Sequence, residues 1–161
     1  MQSLLMDSKT RAQLRRTDPF EVPGVYAWVK KVKQGQGLTG IEDARIIGAA
    51  APIAALVRTE CSDKLGVRLH LARVSKRHVS RLLASDRDDL NSQMEKIIRL
   101  VNRQINIEDL VSNIIYWGPN VRRRIAMDYY SQENNVSQAE AEAPKAGDAI
   151  ADAPTDLSAS T

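Results

Sequence analysis

Cysteine, histidine and aromatic side chains are scarce in this chain, which holds one Cys, two His, four Tyr, two Trp and one Phe among 161 residues. A single thiol, Cys61, excludes an internal disulfide and a cysteine-built zinc site, and is expected to be an inert, buried or half-buried group. His70 and His78 fall in different predicted helices and outside any His-Glu-x-x-His pattern, so surface or core roles are expected of them rather than metal ligation. Apolar runs are also short. None approaches the roughly 18 residues of a membrane span, and Met1-Gln-Ser-Leu-Leu-Met-Asp7 lacks the charged-then-apolar layout of a signal peptide, so a cytoplasmic chain with no membrane partner is expected. Gly35-Gln-Gly-Leu-Thr-Gly40 is followed by Ile41 rather than by a lysine and a hydroxyl residue, which rules out a phosphate-binding loop of that type and leaves a flexible loop. Cys61 and the serines sit in no nucleophile signature. Asp86, Asp88 and Asp89 precede a long helix, where capping and the helix dipole account for them without a metal. The expectation is therefore no enzyme, no cofactor and no metal site.

Basic charge is present in excess, though unevenly. Residues 1–130 hold 22 Lys and Arg against 14 Asp and Glu, a net of +8, whereas residues 131–161 hold one Lys against six acids, a net of −5. The basic part is the one that can attract a polyanion, phosphate above all. Strand-like alternation is rare, and apolar residues recur at three and four positions almost throughout, which predicts an all-α fold. Ser8 to Arg16 reads as a short capped helix ending before Asp18-Pro19. Pro23 to Lys33 carries a Val25, Val29, Val32 stripe with Trp28 beside it. Glu42 to Arg58 reads as a buried, alanine-rich helix bent at Pro52. After a loop at Ser62 to Gly66, Val67 to Val74 and Lys76 to Ala84 are short helices, the second with Val79, Leu82 and Leu83 inward and Lys76, Arg77 and Arg81 outward. Asp88 or Asp89 caps a helix running to about Gln104, with Leu90, Met94, Ile97, Ile98, Val101 and Ile105 as its apolar positions. Asn106 caps the next, and Gly118-Pro119 separates it from a final helix, Asn120 to Tyr130, with Val121, Ile125 and Tyr129 facing inward. From Ser131 onward the composition is too polar to offset the entropy of ordering, so a disordered acidic tail is expected. The implied organisation is two small helical-bundle subdomains, 1–74 and 75–130, followed by the tail 131–161.

The clearest binding signal is Arg122-Arg-Arg124. With Val121, Ile125 and Tyr129 buried, these three fan over the solvent arc about 100° apart. Guanidinium groups pair with phosphate by forked hydrogen bonds and stay charged at every working pH. With exposed aromatics so few, contact with the backbone is expected rather than stacking on bases, and Trp117 is expected in the core or over the helix junction.

Three segments in register resemble one family: Arg11-Ala-Gln-Leu-Arg-Arg16, then Lys76-Arg-His-Val-Ser-Arg-Leu-Leu-Ala-Ser-Asp-Arg87, then Ile105-Asn-Ile-Glu-Asp-Leu-Val-Ser-Asn-Ile-Ile-Tyr-Trp-Gly-Pro-Asn-Val-Arg122 with Arg123 and Arg124. The order, the spacing and the closing Ala126-Met-Asp-Tyr-Tyr130 make the chain, over about residues 9 to 130, similar to the small subunit (CasB) of the type I-E CRISPR Cascade surveillance complex. The resemblance implies a non-catalytic, all-helical protein of antiviral defence, present as two copies. Its implied partners are the guide (CRISPR) RNA, the target and displaced DNA strands, the backbone and large subunits of Cascade, and a second copy of itself. Base pairing with the guide reads sequence in such complexes, while protein surfaces hold the R-loop through its charged backbone. By motif match the implied nucleic-acid contacts are Arg15, Arg16, Arg77, Arg81, Arg87, Arg122, Arg123 and Arg124. Family members place a further helix ahead of the first motif, where this chain has about ten residues. The acidic tail is a second departure, expected to be inert rather than a competitor of DNA for the basic face. The alternatives from other classes are a stand-alone helical DNA-binding regulator, with Lys76 to Ala84 in a major groove, and a helical protein-protein adaptor.

Overall fold

Hydrophobic side chains at helical spacing draw nine α-helices of the described residues onto one continuous core in the computed structural model, which describes residues 3–35 and 37–142. The helices are α1 (Ser8–Leu14), α2 (Pro23–Gln34), α3 (Asp43–Ala49), α4 (Ala51–Ala54), α5 (Leu65–Leu71), α6 (Lys76–Leu83), α7 (Arg87–Leu100), α8 (Ile107–Ile115) and α9 (Pro119–Glu142), with one 3-10 turn at Pro19–Glu21. The fold is all-α; the sole extended pairing among the described residues is an isolated bridge between Thr59 and Gln104. α1 packs on α2, and α2 on α3; α3 meets α8, while α4 meets both α7 and α8. α6 lies against α7 and α9, and α5, which falls before residue 74, lies against α9. The stripe expected of α2 is buried (Val25, Trp28, Val29 and Val32); of that expected of α6, Val79 and Leu82 are buried and Leu83 is half-buried; α8 buries Leu110, Val111, Ile114 and Ile115. Each such aliphatic side chain, fully buried, is worth about 1.5–3 kcal/mol.

The helix ends differ from expectation where a distant group intervenes. α3 and α4 break at Ala50 instead of forming one bent helix. Pro52 lacks an N–H and its ring collides with the carbonyl four residues back, so the helix is interrupted on the N-terminal side of the proline. α5 starts at Leu65 because the Asp109 carboxylate, 44 residues away in sequence, accepts a hydrogen bond from the Leu65 amide at 2.8 Å. α7 is capped by Asp86, not by Asp88 or Asp89: its Oδ1 accepts from the amides of both, each at 3.0 Å. It stops at Leu100, short of Gln104, because Asn102 and Arg103 both take left-handed backbone (φ 57°). There the Asn102 and Arg103 amides turn back to the carbonyls of Arg99 and Ile98, the Schellman pattern of helix termination. The freed Arg103 carbonyl accepts from the Arg58 and Thr59 amides, stitching the two non-helical segments together. Asn106 does cap α8, accepting from the Asp109 amide at 3.1 Å.

The largest correction concerns the C-terminus. α9 continues through Ser131 to Glu142, where a disordered tail was expected to have begun. Once a packed helix has met the nucleation cost, extension is easy, and residues 131–142 contain neither glycine nor proline. The remainder of the expected tail, 143–161, lies outside the described residues.

α5 crosses α9 at unusually short range because Gly66 has no side chain. A Cβ there would sit 2.4 Å from the Ile125 carbonyl oxygen, 2.6 Å from the Asp128 Cβ and 3.0 Å from the Tyr129 amide nitrogen. Beyond the crossing, the buried Tyr129 hydroxyl donates to the Val74 carbonyl at 2.6 Å, and its ring meets His70 edge-on at 5.8 Å. Burial, then the nearby Asp109 charge, holds the Asp128 carboxyl above its ordinary pKa, with Arg124 and Lys64 opposing.

This crossing can be tested at both of its close neighbours. Gly66→Ala must push backbone against backbone and should destabilise the chain by about 2 kcal/mol or more, measured by chemical denaturation. The folded state binds the Asp128 proton more tightly than the unfolded state, so the stability this group contributes is present at low pH and lost as pH rises through its raised pKa. Asp128→Asn should therefore raise the Tm at neutral pH, with the gain shrinking on acidification; a gain that grows towards low pH would contradict the assignment.

Candidate nucleic-acid interface

The eight arginines singled out by sequence divide into two kinds in the structure. Ser75 caps α6, and burial of Val79 and Leu82 turns Arg77 and Arg81, one helical turn apart, to the opposite, exposed side. The Arg81 carbonyl accepts from the Ser85 hydroxyl at 2.9 Å, and the Ser85 carbonyl accepts from the Trp117 indole N–H at 2.9 Å. Trp117 is 6% exposed and fills the junction ahead of α9, the role expected of it. The Arg122 guanidinium lies over its ring, 5.7 Å from the centroid, within cation-π range. The second and third arginine segments thus meet through Ser85 and Trp117. A Lys76–Glu133 ion pair at 3.1 Å joins the other end of α6 to α9, so the two helices run antiparallel.

Arg122, Arg123 and Arg124 do not all face solvent freely. Arg122 is half-buried, and its Nε is enclosed without a protein hydrogen-bond partner among the described residues. Arg124 is exposed, yet its Nη2 donates to Asn113 Oδ1 at 2.6 Å. Asn113 in turn donates to Asp109 Oδ2 at 3.1 Å, the same oxygen that caps α5, and Lys64 Nζ stands 3.6 Å from Asp109 Oδ1. The physical reason is angular: neighbours separated by about 200° around α9 reach α8 on one flank and the α6–α7 junction on the other. Arg123 projects between them, exposed and with no hydrogen bond or ion pair to another described residue.

Arg87 is likewise occupied, donating to the Ile114 carbonyl at 3.4 Å and to the Ile115 carbonyl at 2.9 Å. Arg45, from α3, donates to the same Ile115 carbonyl at 2.8 Å. Two cations from separate helices thus close the C-terminus of α8, where free carbonyls and the helix dipole favour positive charge. Arg15 and Arg16 are exposed at the end of α1, on the part of the fold where α1 packs on α2. They are not linked to the α6–α9 group by any hydrogen bond or ion pair among the described residues.

Arg15, Arg16, Arg77, Arg81 and Arg123 therefore present guanidinium groups unengaged by other described residues, and among those residues none of the eight forms an ion pair with a carboxylate, although Arg124 lies near enough to act on the Asp128 charge. The ion pairs join Lys33 to Asp43, Lys64 to Asp109, Lys76 to Glu133 and Arg99 to Glu95. Arg73, which sequence reasoning missed, is also exposed and unengaged by other described residues, three positions before α6. Its interval of four from Arg77 was legible, but the turn between α5 and α6 hid its placement. His70 packs edge-on against Tyr129, and His78 Nδ1 shares a 2.7 Å hydrogen bond with Ser75 Oγ. No three His, Cys, Asp or Glu among the described residues are grouped to hold a metal, and no helix among them is long and apolar enough to cross a membrane.

Among curated proteins none matches the chain. A solved structure, the Escherichia coli Cascade bound to a PAM-containing dsDNA target, contains a chain with the same fold: TM-score 0.59, 18% identity, covering 82% of this chain and 91% of that one. The family model for CRISPR-associated protein Cse2 matches residues 10–130, from the first arginine motif to the packed part of α9. The chain belongs to the CRISPR-associated Cse2 family.

Proposed function

We propose that this chain is a non-catalytic small subunit of a type I-E Cascade complex and holds nucleic-acid backbone on a basic strip formed by α6 and the start of α9. The observation that carries the reading is the pair of unengaged arginines on α6, Arg77 and Arg81, tied through Ser85 and Trp117 to Arg122 and Arg123 on α9. Family membership supports it, as does the likeness to a chain of a complex solved with a dsDNA target. Phosphate contacts of this kind fix position without reading bases, which leaves sequence choice to the guide RNA. The partners are the guide RNA, the target and displaced DNA strands, the other Cascade subunits and a second copy of the chain, acting in the cytoplasm in antiviral defence.

The arginines have different roles in this reading. Arg77, Arg81 and Arg123 touch phosphate directly, with Arg15 and Arg16 supplying a separate contact at α1. Arg122 contributes through a position fixed by Trp117. Arg124 and Arg87 hold α8 in place, and their effect on binding is indirect.

Replacing Arg77, Arg81 and Arg123 together by Ala should weaken retention of target DNA by the assembled complex without base preference. The slope of log affinity against log salt should fall by about 0.7 to 0.9 for each phosphate no longer held, with the Tm of the isolated chain unchanged. Unchanged retention with an unchanged slope would overturn the reading. Arg87→Ala should do the reverse: it leaves the Ile114 and Ile115 carbonyls less satisfied, costs about 1–3 kcal/mol in thermal or chemical unfolding, and leaves the salt slope nearly intact.

A further inference from the structure

The turn between α5 and α6 is built differently from what economy of backbone would choose. α5 ends in a Schellman motif, in which the Arg73 amide donates to the His70 carbonyl at 2.9 Å and the Val74 amide to the Leu69 carbonyl at 3.0 Å. The motif puts Arg73 at the left-handed position, φ 57°, where glycine is the unstrained residue. A long cationic side chain is held there instead, exposed and unengaged by other described residues. Beside it lies a cleft of about 560 Å³ lined by His70, Arg73, Ser75, Lys76, Tyr129 and Glu133. Within the cleft the Glu133 carboxylate stands 3.1 Å from Lys76 Nζ. That contact holds the Lys76 ammonium above its ordinary pKa, chiefly through the hydrogen bond to Glu133. Glu133 sits in the extension of α9, the first of the six acids that follow Ser131.

We propose that Arg73 and Lys76 form an anion seat for a backbone phosphate at the end of the α6 strip, and that Glu133 occupies it as an intramolecular competitor. The proposal rests on the reading of α6 as a backbone-binding strip and extends that strip past the turn. A carboxylate and a phosphodiester present the same kind of acceptor oxygen to a lysine, and a second anion brought to Lys76 meets the Glu133 charge 3.1 Å from Nζ, so the two compete through like-charge repulsion for one cation. Both side chains are well exposed, 64% for Lys76 and 40% for Glu133, so the pair is weak enough for a polyanion to displace it. The acidic extension then acts on the basic face and is not an inert appendage. It lowers affinity for short or sparsely contacting strands, and yields to a strand held at several points.

The test uses the full chain and a fluorescein-labelled single-stranded DNA oligomer, with binding read by anisotropy across a salt series. Glu133→Gln should tighten binding by about two- to fivefold at low salt, the gain fading as salt screens the pair. Glu133→Gln on a Lys76→Gln background should add nothing. Arg73→Gly should weaken binding while leaving the Tm equal or higher, because glycine relieves the left-handed backbone. Unchanged affinity in Glu133→Gln, or a gain that survives the Lys76→Gln change, overturns the competitor. Unchanged binding in Arg73→Gly overturns the seat. If either happens while the Arg77, Arg81 and Arg123 triple variant binds less, the wider reading stands; if the triple variant binds normally, both fall.

Discussion

Everything in the C-terminal half of the molecule depends on how closely α5 approaches α9 at Gly66. With no Cβ between them, backbone packs on backbone, and the remaining groups at the crossing must each find a place in the space that is left. Tyr129 passes under the turn to reach the Val74 carbonyl, Asp128 is held against the Asp109 charge, and the Asp109 carboxylate turns to cap α5. A buried carboxylate is tolerated only when its lone pairs are used, and those of Asp109 are used by the Leu65 amide and Asn113, with Lys64 near its second oxygen. The crossing therefore fixes the angle at which α9 leaves the core, and with it the direction in which Arg122, Arg123 and Arg124 point.

Arginine serves two ends in this fold, and the distinction lies in what each guanidinium touches. Arg45 and Arg87 close the α8 terminus, and Arg124 completes the Asp109–Asn113 chain. Arg77, Arg81 and Arg123 engage nothing among the described residues. A surface designed only for solubility would intersperse acids among such cations, and pairing would follow. Here several carboxylates are used elsewhere: Asp86 on capping α7, Asp109 on capping α5 and Asp7 on capping α1, where hydrogen bonds from the Thr10 amide and hydroxyl hold its pKa low. Acids spent as caps in this way are not paired with Arg77, Arg81 or Arg123.

Much of this was legible in the sequence, and what was not shares one cause. Local rules sufficed where the partner is local: the Val25, Val29, Val32 stripe, Asn106 capping α8, and the turn to α9 at Gly118-Pro119 all follow from spacing of a few residues. They failed where a group far along the chain decides the outcome. The start of α5 is set by Asp109, and the fate of Arg87 by carbonyls 27 and 28 residues on. The helical extension past Ser131 was misjudged because composition measures burial, whereas a helix already anchored by Val121, Ile125 and Tyr129 needs little burial to continue. For the arginine triplet, helical spacing places all three on the solvent arc, which holds for Arg123 and Arg124 but not for the half-buried Arg122. It could not say that two of them would be claimed by the flanks.

A backbone-holding surface needs rigidity more than it needs strength. Each phosphate contact is weak and screened by salt, and several of them act together only if their spacing does not fluctuate. The path from Arg81 through Ser85 and Trp117 to Arg122 supplies that constancy with two hydrogen bonds of 2.9 Å and one ring face, none of which involves a neutralising charge. Neutral groups fix the backbone that carries Arg81 and the ring under Arg122, and the guanidinium charge is left over for the ligand. In the proposed arrangement that division gives a tryptophan buried in the junction a part in the interface although it touches no nucleic acid. It also accounts for the order of Trp117, glycine, proline and arginines in the chain. The indole is anchored two residues before α9, and Arg122 follows it closely enough in the chain to lie on the ring.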